Sequence, residues 1–235
     1  MRLLLISNST NAGEAYLEYP KTEIRKFLGE KKITGLFFPF AGVTMPYSEY
    51  TDMVGEQFRK IGHDIRSIHE FDDPVQAVKA AEAIIVGGGN TFSLLKTIQD
   101  KQLIGPVREK VRGGTPYIGW SAGSNMACPT IRTTNDMPIA EPDSFAAFHL
   151  VNFQINPHYL DSNPDGHAGE TREDRIREFL EVNRDLTVFG LREGCMFRIE
   201  GNEMSLIGSR PVRVFTYGKD AVEMTGANDF GPFLK

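Results

Sequence analysis

Cysteine is scarce in this sequence, since Cys128 and Cys195 are the only two among 235 residues. Two thiols can build neither a disulfide framework nor, by themselves, a zinc site, and we expect both to be reduced and packed inside. Basic residues do not outnumber acidic ones, and the net charge of −5 argues against nucleic acid or an anionic membrane as the main partner. The N-terminal apolar run ends at Ile6, far too early for a signal peptide or a membrane span. We therefore expect a cytoplasmic protein, and we predict no metal and no cofactor.

Apolar runs alternate with helical patterns along the chain, which has 40% hydrophobic and 24% charged residues. This composition is typical of a globular protein, and the length fits one domain over residues 1–235. The alternation predicts an α/β fold with a mostly parallel sheet, and antiparallel hairpins in the tail at 195–225. Strands are predicted at 3–6, 33–40, 64–68, 83–86, 116–120, 151–155 and 186–191. Helices are predicted at 15–28 with an interruption at Pro20, from a cap at Ser48 to 58, at 73–81 with Asp73 as the cap before Pro74, from 91, at 106–111 and from 170.

The segment at 115–127 combines a short apolar run with a turn of small residues. Its Gly-Trp-Ser-Ala-Gly at 119–123 has the pattern of a nucleophile elbow, between a predicted strand and a predicted helix. The turn is too sharp for bulky neighbours, so glycines flank Ser121, whose hydroxyl is raised above the end of the sheet. The Ala122 N–H then lies where it can stabilise an oxyanion. A plain tight turn is the alternative, because this short pattern also occurs by chance.

Polar residues that follow the predicted strands are the next candidates, because ligands of open α/β sheets bind beyond the carboxyl ends of the strands. His158 and Glu193 each follow such a strand. An imidazole can take the proton of Ser121, and a carboxylate can fix the imidazole tautomer. We predict His158 as the base, and either Glu193 or Asp136, from the long loop after the elbow, as the carboxylate. A structural histidine and solvated carboxylates are the alternative interpretation.

Three consecutive glycines at 87–89 follow another predicted strand and precede Asn90 and Thr91. A glycine-rich turn could cradle a phosphate, but no Lys-Ser/Thr pair follows, so the P-loop pattern is incomplete. Beside a serine elbow, we expect the Gly89 N–H to be a second oxyanion donor.

Four segments carry longer motifs. They read Ile-Ile-Val-Gly-Gly-Gly-Asn-Thr-Phe at 84–92, Tyr-Ile-Gly-Trp-Ser-Ala-Gly-Ser-Asn-Met-Ala-Cys-Pro-Thr-Ile-Arg-Thr-Thr-Asn-Asp-Met-Pro at 117–138, Gln-Ile-Asn-Pro-His at 154–158 and Gly-Glu-Thr-Arg-Glu-Asp-Arg-Ile-Arg-Glu at 169–178. These segments resemble the peptidase E family of α-aspartyl dipeptidases, which is related to the cyanophycinases. The resemblance extends from the first strand to about residue 194, and the C-terminal hairpins are less distinctive.

The resemblance implies a three-layer α/β/α fold of the class I glutamine-amidotransferase type, and a serine hydrolase that cleaves dipeptides with an N-terminal aspartate. It implies Ser121 as the nucleophile and His158 as the base. In this family the third member has been placed both at the glutamate matching Glu193 and at the aspartate matching Asp136, and the strand-end position favours Glu193. The amidotransferase relatives carry cysteine at the elbow, so serine here argues against glutaminase chemistry.

A substrate aspartate requires a charged partner, and the planar fork of arginine can bind both carboxylate oxygens. With the resemblance, we expect Arg172 to bind this carboxylate at a helix N-terminus, Asn90 to belong to the same substrate site, and Arg132 to be the reserve candidate. The alternative is an exposed Arg172 that pairs with Glu170 or Glu173.

Other functions stay open at this point. A lipase or esterase shares the elbow but should carry an apolar acyl pocket, and a cyanophycinase-like hydrolase is a further alternative. A non-catalytic binding protein on the same fold is the alternative from another class. We expect small Asp-Xaa peptides as the partners, and neither nucleic acid nor membrane.

Overall fold

The computed structural model describes residues 1–163, 166 and 168–234, and within them the chain is an α/β fold, as predicted. The strands are β1 (Arg2–Ile6), β2 (Thr34–Phe38), β3 (Asp64–Ser67), β4 (Ile84–Val86), β5 (Tyr117–Trp120), β6 (Gln154–Pro157), β7 (Thr187–Leu191), β8 (Met196–Glu200), β9 (Glu203–Ile207), β10 (Val212–Thr216) and β11 (Val222–Met224). The helices are α1 (Lys21–Leu28), α2 (Tyr47–Lys60), α3 (Pro74–Ala80), α4 (Thr91–Asp100), α5 (Ile104–Arg112), α6 (Ala122–Ala127) and α7 (Arg172–Val182). Across the described residues, no helix has both the length and the apolar character needed to cross a membrane.

The larger sheet has seven strands in the order β3-β2-β4-β5-β1-β8-β9. Its first five strands are parallel, whereas β8 is antiparallel to β1 and β9 is antiparallel to β8. Side chains alternate between the faces of a strand, so Leu3 and Leu5 join one apolar cluster while Leu4 and Ile6 join another. Helices α3 to α6 complete the first cluster, and α1 and α2 complete the second. Because both faces are covered, the central strands read as continuous apolar runs, and three α/β/α layers result.

A second sheet of four strands, in the order β11-β10-β7-β6, was not predicted. Strands β6 and β7 are parallel, but β7 pairs on its other edge with β10, which is antiparallel. The C-terminal hairpins are therefore divided: β8 and β9 extend the larger sheet, and β10 and β11 extend the smaller one. Hydrophobic periodicity identifies a strand but does not name its partner, which is why one sheet was expected.

Several predicted boundaries differ from the structure, and three of the differences are the following. The helix predicted at 15–28 begins only at Lys21. Pro20 biases Tyr19, the residue before it, away from helical angles. Ser48 is not a cap, since α2 already begins at Tyr47 after the extended Pro46. The strand predicted at 151–155 is displaced to Gln154–Pro157.

Candidate active site

Ser121 occupies the turn between β5 and α6. Its backbone has φ 52° and ψ −113°, in the region that non-glycine residues rarely adopt. A Cβ on Gly119 would lie 2.5 Å from the Gly123 carbonyl oxygen, and a Cβ on Gly123 would lie 2.2 Å from the Val86 carbonyl oxygen. Only glycine fits at either position, and this close packing is what fixes Ser121 in its strained turn.

His158 and Glu193 follow two neighbouring parallel strands of the smaller sheet, at the end where both strands finish. The parallel register of β6 and β7 pairs Pro157 with Leu191, so the residues that follow the two strands emerge side by side. With Nδ1 protonated, His158 donates to Glu193 Oε1 at 2.7 Å, and its Nε2 accepts the Ser121 hydroxyl at 3.0 Å. The three side chains thus form a continuous chain of hydrogen bonds in the order that an activated serine requires.

Ser7 joins the two sheets at this point. It follows β1, and the register of β1 with β5 brings it beside Ser121. Its buried hydroxyl accepts the His158 N–H at 2.9 Å and donates to the Leu191 carbonyl at 2.8 Å. Sequence reasoning missed Ser7, although its position directly after a predicted strand was a usable signal.

Asp136 contacts helix α4 and is not brought to His158. Its Oδ2 accepts the Thr91 N–H at 2.7 Å, the Thr91 hydroxyl at 2.5 Å and the Thr134 hydroxyl at 3.0 Å. A carboxylate is well placed there, because the N-terminus of a helix presents unpaired N–H groups and a partial positive charge. In this geometry Asp136 holds the start of α4, which follows directly on the glycine turn.

The glycine turn and the elbow present two candidate donors. A Cβ on Gly89, which has φ +132°, would lie 2.2 Å from the Ala41 carbonyl oxygen, so only glycine fits there. Over the described part of the chain, neither the Gly89 N–H nor the Ala122 N–H has a hydrogen-bond acceptor. Both are therefore free to bind a negative oxygen. Asn90, the next residue, caps α4 by accepting the Ser93 N–H at 3.0 Å.

A cavity of about 480 Å³ opens beside Ser121 and His158. The glycine turn and Asn90 form one part of its wall. Much of the remaining wall is apolar and comes from the segment after β2 and from α2, with Val43, Met45 and Met53 among its members. The candidate nucleophile thus faces a space large enough for the side chain of a small substrate.

Arg172 is the first residue of α7 and is half-buried. The glutamates that could have paired with it, Glu170 and Glu173, pair with other arginines. No ion pair or hydrogen bond of the Arg172 guanidinium is found with any residue that the structure describes. Burial lowers the pKa of Arg172 and the charge of Arg175 adds to this, whereas the Asp136 carboxylate opposes it. The guanidinium is therefore partly desolvated and still available for a ligand.

Arg132, the reserve candidate, lies on the surface. It is exposed, and its guanidinium carbon is 5.5 Å from the centroid of the Phe145 ring. Neither Arg132 nor Arg172 belongs to the wall of the cavity beside Ser121. Arg172 is the better candidate ligand for a carboxylate, because it is half-buried and has no partner among the described residues, whereas Arg132 is exposed and packs on Phe145.

Within the described ranges, no cluster of histidine, cysteine and acidic side chains is arranged to hold a metal ion. Cys128 and Cys195 are free and buried. Burial raises the pKa of the Cys128 thiol to about 12, which keeps it protonated and unreactive.

Comparison with known proteins identifies the family of this chain. The model of peptidase family S51 matches residues 3–207. The chain belongs to peptidase family S51. It is 50% identical over 222 residues to a protein from Nostoc sp. named peptidase E, covering 94% of this chain and 92% of that protein. It is 48% identical to a peptidase E from Salmonella paratyphi A over 230 residues, which are 98% of this chain and 100% of the relative.

A solved structure shows the same fold. The crystal structure of a peptidase from an acI-B1 actinobacterium aligns with a TM-score of 0.70 at 17% identity, over 97% of this chain and 96% of that one. The resemblance to peptidase E in the sequence motifs is thus confirmed, and with it the assignment of this S51 chain as a hydrolase that acts on peptides.

Proposed function

We propose that this S51 peptidase hydrolyses dipeptides with an N-terminal aspartate through an acyl-enzyme on Ser121. The observation that carries the proposal is the chain of hydrogen bonds from Glu193 through His158 to Ser121, which opens onto a cavity. The relatives named peptidase E support the same activity. A cytoplasmic location and the absence of other partners stay predictions.

In the proposed mechanism, Ser121 Oγ attacks the carbonyl carbon of the peptide bond while His158 Nε2 takes the hydroxyl proton. The Gly89 and Ala122 N–H groups stabilise the negative oxygen of the tetrahedral intermediate. The C–N bond then breaks as His158 returns the proton to the leaving amine, which leaves an aspartyl ester on Ser121. Water attacks this ester and gives a proton to His158. The bond to Ser121 Oγ then breaks as His158 returns that proton to Oγ, which releases aspartate and free Ser121. Glu193 holds the imidazole tautomer and stabilises its charged form throughout.

The aspartate side chain of the substrate is bound by Arg172 in this proposal. The half-buried guanidinium has no partner among the described residues, and the N-terminal end of α7 adds positive potential. A carboxylate placed there replaces water by a bidentate ion pair, and this selects aspartate over an uncharged residue. Asn90 lines the cavity beside Ser121 and is a second candidate contact for the substrate.

The apolar wall of the cavity favours one competing function, an esterase that would place an apolar acyl group there. We assign this space instead to the side chain of the leaving residue, because His158, which must protonate the leaving amine, also lines the cavity. The two possibilities differ in their use of Arg172. Dipeptide hydrolysis would need its charge, whereas hydrolysis of a p-nitrophenyl butyrate would not.

The test is the Ser121→Ala variant together with fluorophosphonate labelling of the unmodified protein. Loss of a serine nucleophile lowered kcat by about 10⁶ in a well-studied protease, so we expect no measurable hydrolysis of Asp-Leu. Stability should barely change, because one oxygen is removed at a turn. The matched control is Ser209→Ala, an exposed serine outside the site, which should behave as the unmodified protein.

Peptide mapping should find the phosphonyl group on Ser121 alone. More than a few per cent of residual Asp-Leu hydrolysis in Ser121→Ala would exclude the covalent mechanism. Rapid butyrate ester hydrolysis without cleavage of Asp-Leu would replace the dipeptidase by the esterase.

A further inference from the structure

Two tyrosines with hydrogen-bonded hydroxyl groups lie beside the glycine turn, and one of these hydroxyl groups contacts its backbone. Tyr50, on α2, donates a hydrogen bond to the Gly88 carbonyl oxygen at 3.0 Å. Tyr16 donates to the Tyr50 hydroxyl at 3.2 Å. Both tyrosines and both Gly88 and Gly89 line the cavity that holds Ser121. The mechanism above leaves this pair of hydroxyl groups without a role.

The contact of Tyr50 fixes the orientation of one peptide group. The Gly88 carbonyl and the Gly89 N–H belong to the same planar unit, and the described chain has no cis peptide bond. In a trans peptide the C=O and N–H point in opposite directions, so anchoring the carbonyl also aims the N–H. Since both flanking residues are glycine, their own dihedral preferences do little to hold this plane.

The glycines of the turn allow Tyr50 and Ser121 to approach its backbone closely. A Cβ on Gly87 would lie 2.6 Å from the Tyr50 hydroxyl oxygen, and a Cβ on Gly88 would lie 3.1 Å from Ser121 Cβ. The glycines thus allow the tyrosine on one side and the nucleophile on the other to reach the same backbone. Burial raises the pKa of Tyr50, so its hydroxyl stays protonated and able to donate.

We propose that Tyr50 is a positioning residue for the oxyanion hole, which holds the Gly88–Gly89 peptide with its N–H aimed at the reacting oxygen. The proposal rests on the proposed function, because it takes the Gly89 N–H as an oxyanion donor. Tyr16 supports Tyr50 in turn, by orienting its hydroxyl. A hydrogen bond to the carbonyl also polarises the peptide, which strengthens its N–H as a donor.

The test is Tyr50→Phe, which keeps the ring and its edge contact with Phe37, at 5.1 Å between centroids. Removing a direct oxyanion donor costs about 10²–10³ in kcat, so losing the group that aims one should lower kcat by roughly 10- to 100-fold. KM for Asp-Leu should stay within about twofold, because the ground-state carbonyl gains little from the hole. Tyr16→Phe should show a smaller loss in kcat. Tyr47→Phe, on the same helix but packed on Phe40, is the matched control and should leave kcat unchanged.

The rate of phosphonylation of Ser121 by a fluorophosphonate supplies a readout that does not depend on the substrate. Its phosphonyl oxygen uses the same hole, so the rate in Tyr50→Phe should fall in parallel with kcat, at unchanged thermal stability. A labelling rate and kcat equal to those of the unmodified protein would overturn the role of Tyr50. A fall in stability with a raised KM and an unchanged labelling rate would do the same. Failure of the unmodified protein to label at Ser121 is a different result, since it would refute the proposed function itself.

Discussion

Ser121 and His158 both hold backbone angles that non-glycine residues rarely adopt, with φ of 52° and 54°. Each such conformation costs about 1–3 kcal/mol and persists only where the surroundings enforce it. At Ser121 the glycines on either side pack too closely for any other turn, and at His158 the N–H is held by the Ser7 hydroxyl. Two of the five described non-glycine residues with a positive φ are thus the pair whose side chains meet for proton transfer in the proposed mechanism.

Glu193 and Asp136 can be separated by single amide substitutions. Glu193→Gln removes the charge that stabilises protonated His158 and can impose the wrong tautomer, so kcat should fall by up to about 10⁴. Asp136→Asn keeps an oxygen for the Thr91 donors at the start of α4, and kcat should fall much less. Steady-state kinetics on Asp-Leu compare the two. The opposite ranking would move Asp136 into the triad and make Glu193 structural.

Arg172→Met tests the recognition of the substrate aspartate. Breaking a desolvated charge pair costs about 2–5 kcal/mol, and kcat/KM for Asp-Leu should fall by that amount in transition-state terms. Hydrolysis of Asn-Leu, if measurable, should fall much less, because its amide makes no ion pair. Arg132→Met is the control, since that side chain is exposed and packs on Phe145. Equal losses on both dipeptides would mean that Arg172 supports the site without selecting aspartate.

Sequence reasoning selected His158 and Glu193 because each follows an apolar strand, a signal contained in neighbouring residues. Tyr50 gave no such signal. Its ring fits the apolar face of α2, and nothing in the pattern indicates that its hydroxyl reaches a carbonyl 38 positions further along the chain. Contacts of this kind depend on how elements pack, and local patterns do not encode them.

At the scale of elements, the best predictions concern the central strands and the helices with strong boundary residues. The helix predicted at 73–81 is α3, and the Asp73 carboxylate caps its start by accepting the Gln76 N–H. The central strands are apolar throughout because helices cover both faces. Strand β6 was displaced because Val151 and Phe153, the apolar residues before it, pack in the core as bends. Hydrophobicity alone cannot distinguish a buried segment that lacks regular backbone pairing from a buried strand.

Arg192, directly after β7, connects this strand to the loop that follows His158 and to β11. Its side chain, only 6% exposed, donates to both oxygens of Asp161, to both oxygens of Glu223 and to the Pro211 carbonyl. Asp161 belongs to the loop after His158, and Glu223 lies on β11. The guanidinium thus fixes the loop of the proposed base against the end of β7 that carries Glu193.

This cluster predicts a dependence of stability on acid. Hydrogen bonds from Arg192 are the main cause that holds the pKa values of Asp161 and Glu223 below their usual range. A lowered pKa in the folded state adds stability above the ordinary value of about 4, and this stability is lost as the pH falls through the lowered values. Urea unfolding between about pH 7 and pH 3 should therefore show a steeper acid loss in the unmodified protein than in Arg192→Met.

The Arg192→Met variant should also be less stable at neutral pH, since two carboxylates lose their shared partner. Arg25→Met removes an exposed pair with Glu30 and is the control, with an acid profile like that of the unmodified protein. Parallel pH profiles for Arg192→Met and the unmodified protein would show that Arg192 does not set this dependence.

At the scale of the whole molecule, the candidate triad is divided between two sheets. Ser121 follows β5 of the seven-stranded sheet, whereas His158 and Glu193 follow β6 and β7 of the four-stranded sheet. The rule that ligands bind beyond the carboxyl ends of parallel strands still selected these residues as candidates, because both sheets direct those ends to the same place. The relative position of the sheets therefore sets the distance between nucleophile and base.

Ser7→Ala tests this coupling between the sheets. The substitution leaves the His158 N–H and the Leu191 carbonyl without the hydroxyl that now serves both, at a fully buried position. Leaving a buried polar group unpaired costs about 1–3 kcal/mol, so the free energy of unfolding in urea should fall by that amount. Because the backbone of His158 loses its anchor to the sheet that carries Ser121, kcat for Asp-Leu should fall as well. Ser205→Ala, at an exposed position on β9, should change neither quantity. Unchanged kcat in a destabilised Ser7→Ala protein would mean that the sheets stay in register without this hydroxyl, and that other contacts hold His158 against Ser121.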